Sequence, residues 1–147
     1  AWTGSDKQQT QRLRRFYLLG QTLDGMQVWD IRRAIAALRG TPYGKVPLWI
    51  QSQHTMAGNA LYASLFEDGI ARLDLHRLPV SQVSGPTYLN VLKYLDVPEA
   101  AAMAAERTRV RIYTADRSAW SFPAQVSEKL GWKKAFELRD PLAPPAQ

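Results

Sequence analysis

The sequence predicts an α/β fold, because short apolar strands alternate along it with helical segments, turn residues separate the two, and no segment repeats. Strands separated by helices imply right-handed crossovers and a mainly parallel sheet with helices on both faces, so a three-layer α/β/α architecture is expected. Composition agrees. A chain of 147 residues that is 46% hydrophobic and 22% charged is sized and patterned for one core.

Element by element, residues 1–13 read as a basic polar segment, 14–139 as the domain and 140–147 as a proline-rich tail. Thr22 is an N-cap for a helix whose apolar face is Met26, Val28, Trp29, Ile31, Ile35 and Leu38, terminated by Gly40 and Pro42. A buried strand is expected near 46–51, with Pro47 at its beginning because proline removes a ladder donor. Met56 to Phe66 follows as a helix whose small residues let it lie close to a sheet. After the turn pair Asp68-Gly69 comes a second strand near 70–75, then a loop from Leu78 to Gly85. Two short helices are expected at Tyr88 to Leu95 and Pro98 to Glu106, the second opened by its proline. A third strand near 109–114, a helix from Phe122 to Leu130 closed by Gly131, and a fourth strand near 134–138 complete the pattern. Trp29, Trp49 and Phe66 sit at core spacing, and Asp30 is placed to pair with Arg32 or Arg33 on the helix surface.

Several chemistries fall away at once. Without cysteine there is no disulfide, thiol nucleophile or cysteine-ligated metal centre, and with His54 and His76 as the two histidines a three-histidine metal site is impossible. No glycine-rich phosphate loop follows a strand, so no cofactor is expected. No apolar run approaches the roughly 18 residues that cross a bilayer, and no signal-peptide stretch opens the chain. The net charge is +6, with basic clusters at Arg12, Arg14 and Arg15, at Arg32 and Arg33, and at Arg107, Arg109 and Arg111. Aromatics do not interleave with these clusters in a nucleic-acid-binding pattern, so a nucleic-acid partner is not expected.

A strand turning sharply into a small-residue helix is where α/β enzymes hold a nucleophile, above the sheet edge and beside the backbone donors of a helix N-terminus. Trp49 to Ala63 occupies such a place. Together with the helix from Gly20 to Ile35 and the motif Ala60-Leu61-Tyr62-Ala63, it resembles the C-terminal half of an α/β-hydrolase of the acetyl-xylan-esterase-like, carbohydrate-esterase kind, over roughly Arg14 to Leu138. The resemblance implies a carbohydrate ester as substrate and a triad of nucleophile, acid and histidine. The family's elbow is Gly-x-Ser-x-Gly, which has no match here. Registering the helix on Ala60 puts His54 at the nucleophile position, with Ser52 and Met56 where glycines belong; a two-residue slip puts Ser52 there instead. Asp116, beyond the third strand, stands where the acid would be, and its alternative reading is a turn or capping aspartate. No histidine follows the fourth strand, so the triad does not close in the family's manner. His76 ends the second strand, and Trp120 with Trp132 would line a sugar cleft if exposed together.

Three functions remain open: a hydrolase-like scaffold that is catalytically incomplete, an active carboxylic ester hydrolase completed by an N-terminal half of the fold, and a non-catalytic module that binds a glycan, polyanion or protein. The strand near 46–51 would be a sheet edge. Its cover is expected from that missing half or from a second copy in a homo-oligomer.

Overall fold

A computed structural model describes residues 5–132 and 134–142. It is an α/β fold in which helices alternate with a four-stranded sheet ordered β1 (Leu48–Gln53), β2 (Ile70–His76), β3 (Arg109–Tyr113) and β4 (Phe136–Arg139), consistent with a three-layer α/β/α class. All three neighbouring pairs are parallel, as the crossover pattern requires. The helices are α1 (Asp6–Leu18), α2 (Leu23–Arg39), α3 (Thr55–Ser64), α4 (Val97–Ala105) and α5 (Ser121–Lys129).

Helices α3, α4 and α5 each pack on strands and on one another in series, so they form one layer. That follows from the topology: successive right-handed crossovers made in one direction carry every connecting helix to the same side of the sheet. These three helices make one layer on the strands, and α2 stacks on α3. The face beneath this layer carries Ile50, Leu73, Leu75, Val110 and Ile112, the last four of which are fully buried. The opposite face carries Trp49, Arg72, Asp74, Arg111, Tyr113, Glu137 and Arg139, held by ion pairs of Arg72 with Asp74 at 2.7 Å and of Glu137 with Arg111 at 3.1 Å and Arg139 at 2.6 Å. Bonds from Arg139 and the charges of both arginines hold the Glu137 carboxyl below its usual range against the raising effect of burial.

Several local expectations change. The polar segment over 1–13 runs into α1, where Ser5 donates its N–H to the Gln8 side chain at 3.1 Å; none of this helix's residues is buried, so no apolar periodicity announced it. Residues 1–4 and most of the proline-rich tail, 143–147, lie outside the described residues. Tyr88 to Leu95 is not a helix but a loop with one 3-10 turn at Val91–Lys93, because Asn90 takes a left-handed conformation at φ 64°. Asp96 caps α4 in a capping box with Glu99, two residues before the proline that the sequence singled out.

The three aromatics assigned to the core are exposed: Trp29 by 55%, Trp49 by 60% and Phe66 by 62%. Each instead lies under a guanidinium, Arg32 being 5.6 Å from Trp29 and 5.2 Å from Phe66, and Arg72 3.7 Å from Trp49. Helix α2 turns Val28, Ile31 and Ile35 to the core, which leaves Trp29 about 100° away around the helix. Arg32 pairs with Glu67, in the segment that follows α3, at 2.6 Å rather than with Asp30.

Candidate functional site

The carboxyl ends of the strands form the edge where the sequence placed its chemistry. At the end of β1 the chain reverses through His54, whose backbone sits at φ 55° and ψ −136°, and enters α3 at once. An L-residue reaches that region only under strain, since its Cβ crowds the backbone. Three features over-determine it. The His54 N–H donates to the His76 carbonyl at 3.0 Å, and the His54 carbonyl accepts from the Ala57 N–H at 2.9 Å. Gly58 meanwhile lets α3 settle on the next loop, where a Cβ would lie 2.6 Å from Pro86 Cγ. The imidazole itself is exposed. His54 thus sits on the sharp turn from β1 into α3.

Ser52 is placed differently. It lies in β1 opposite Leu75 on the face beneath the helices, and its Oγ is buried with no hydrogen-bond partner. A hydroxyl there has neither a base beside it nor an opening to solvent. His76, at the end of β2, stacks on Tyr113 with ring centroids 4.1 Å apart, and one ring nitrogen lies 3.1 Å from Gln51 Nε2. Asp116 follows β3 in an exposed turn, where its Oδ1 accepts from the Ser118 N–H at 3.1 Å and from the Ser118 hydroxyl at 2.6 Å. Those bonds hold its carboxyl below the ordinary range. With the Thr114 hydroxyl bonded to the Asp116 backbone as well, these are the bonds of a turn aspartate. Trp120 is buried, so it forms no exposed platform with Trp132. Among the described residues no three metal-binding side chains cluster.

One residue that sequence reasoning passed over organises the base of this edge. Asn59, fully buried in α3, donates through Nδ2 to Gln27 Oε1 at 2.7 Å and to Asp24 Oδ1 at 3.2 Å, and it accepts from the Tyr88 hydroxyl through Oδ1. Asp24 Oδ2 accepts in turn from the Thr87 N–H at 2.8 Å. Side chains of α2 and α3 and the loop 86–88 are thereby locked together. Its signal in the sequence is an asparagine set among Ala57, Gly58, Ala60 and Leu61, a polar group in a run otherwise fit for burial.

Beside this network Tyr62 and Tyr88 meet at 4.7 Å, and the Gln82 amide donates to the Tyr62 hydroxyl. Burial pushes the Tyr62 phenol up to about 12 and Tyr88 further up, the latter reinforced by the nearby Asp24 carboxylate. Both folded values exceed the ordinary 10.0, so the contribution of these phenols to stability is complete below pH 10 and is lost as pH rises toward about 12. Urea midpoints measured from pH 9 to 11.5 are expected to fall with pH, and the Tyr62→Phe/Tyr88→Phe double variant is expected to show a shallower decline.

An open groove of about 700 Å³ runs along the start of α2 between Trp29, Met26, Tyr88 and Leu89. Comparison of the chain with protein-family models, with curated proteins and with solved structures gives no match.

Proposed function

We propose that the chain is an α/β-hydrolase-like domain of the acetyl-xylan-esterase-like kind whose catalytic apparatus is incomplete, so that it serves as a scaffold and not as an esterase. The observation that carries this reading is His54 at φ 55° and ψ −136° on the turn from β1 into α3: a strained strand-to-helix turn, the kind on which that family holds its nucleophile, carries an imidazole here. The surroundings support it. The nearby hydroxyl, Ser52 Oγ, is buried on the far side of the strand, and Asp116 is occupied by Ser118. A triad needs nucleophile, base and orienting acid in one hydrogen-bonded line, and loss of a member removes several orders of magnitude of rate.

Hydrolysis of a generic aryl acetate and of short-chain acyl esters tests the proposal. Wild type, Ser52→Ala and His54→Ala are all expected to turn over no faster than buffer. Robust turnover abolished by Ser52→Ala would mean instead that the chain is an active carboxylic ester hydrolase.

A further inference from the structure

We propose that the chain pairs with a second copy of itself through the free edge of β1, the two strands running antiparallel about a two-fold axis at Gln51. Among the described residues β1 is paired on one side, by β2. The amide of His54 donates to the His76 carbonyl of β2, and backbone groups alternate between the two sides of a strand. Ile50 and Ser52 therefore direct theirs to β2, while Trp49, Gln51 and Gln53 direct theirs outward.

The two edges of the sheet are treated differently by the sequence. β4 carries Glu137 and Arg139 and is followed by Asp140 and Pro141, the charges and proline that discourage strand addition. β1 reads Leu-Trp-Ile-Gln-Ser-Gln and has neither charge nor proline within it. An edge without charge meets no repulsion from its own copy.

Its outward set is also self-complementary. With the axis at Gln51, Trp49 of each copy stands opposite Gln53 of the other, and the two Gln51 residues oppose each other. Each of these opposed pairs exchanges two backbone bonds, about six in all, which uses every outward N–H and C=O of the strand. Pro47, which also points outward but has no N–H, falls outside the paired stretch. The same-face rule is kept, since Ile50 meets Ser52 of the second copy on the apolar face and Trp49 meets Gln53 on the polar face. The product is one continuous sheet with an isologous interface. An interface of one strand pair is small, so dissociation is expected on the order of tens of micromolar.

Sedimentation velocity from about 1 to 300 µM tests the proposal on the full chain. Wild type is expected to pass from monomer to dimer, with amide hydrogens of Trp49, Gln51 and Gln53 gaining exchange protection as concentration rises. Gln51→Pro removes an outward donor without touching the β2 ladder and is expected to stay monomeric. Gln51→Lys sets like charges directly opposed at the axis and is expected to weaken the dimer at least tenfold, as is Gln51→Glu; an equimolar mixture of the two is expected to restore it. That mixture decides the question even if the proline variant does not fold. A wild-type monomer throughout this range would overturn the proposal, as would a dimer indifferent to Gln51→Lys or a lysine and glutamate mixture that stays monomeric.

Discussion

Replacing Asn59 with alanine is expected to cost about 3–4 kcal/mol of folding stability, the largest single-residue effect anticipated for a polar side chain in this domain. The substitution removes no more than a few atoms, but it takes the partner from several part-buried groups. Tyr88 loses the acceptor of its buried hydroxyl, Gln27 loses its 2.7 Å donor, and Asp24 keeps only the Thr87 N–H. An unsatisfied buried polar group costs about 1–3 kcal/mol, and three groups lose a bond at once here. Asn59→Asp is expected to be worse at neutral pH, because it sets a second carboxylate beside Asp24 at the 3.2 Å contact. Urea denaturation at pH 7 ranks the two variants; an alanine variant within 1 kcal/mol of wild type, by the scale above, would mean that the network is not coupled as the distances imply.

How far this arrangement was legible in the sequence depends on which physical signal each part leaves. The strands and the helices α2 to α5 are marked by apolar periodicity and by turn residues such as Asp68-Gly69 and Gly131, which is why their order and parallel pairing could be read. α1 leaves no such mark, since a helix with no buried face has no apolar stripe. Trp29, Trp49 and Phe66 mislead for the opposite reason: hydrophobicity alone cannot distinguish a ring packed in the core from one covered by an arginine over its face. Exposure of Trp49 requires knowing which face of β1 lies under α3, and that depends on the register with β2. At the site, the sharp turn from β1 into α3 was legible from the small residues that follow it. The direction of Ser52 into the helical layer was not, because a one-residue difference in phase sends a strand side chain to the other face. Asn59's partners come from residues up to 35 positions away and from a loop. No local pattern encodes them.

His54→Gly is expected to stabilise the fold by about 1–3 kcal/mol, a gain of several degrees in Tm for a chain of this size. The backbone at φ 55° and ψ −136° is a region that glycine enters freely and that a Cβ makes costly, so the substitution relieves strain where the imidazole forms no cap bond to α3. His54→Ala separates the causes. It removes the imidazole and keeps the Cβ, so it is expected to leave Tm close to wild type, while glycine raises it. If both variants rise together, the cost lies in the ring and not in the turn; if glycine lowers Tm, the added freedom of the unfolded chain outweighs the strain released. The gain also bears on the proposed function. Proteins keep strained turns where a side chain must be held in a fixed direction, and the family's elbow spends that strain on aiming a nucleophile. In this chain the turn carries an exposed imidazole and is held by the bonds to His76 and Ala57. A stabilised glycine variant that changes neither ester hydrolysis nor self-association would show the strain to be carried by the scaffold alone.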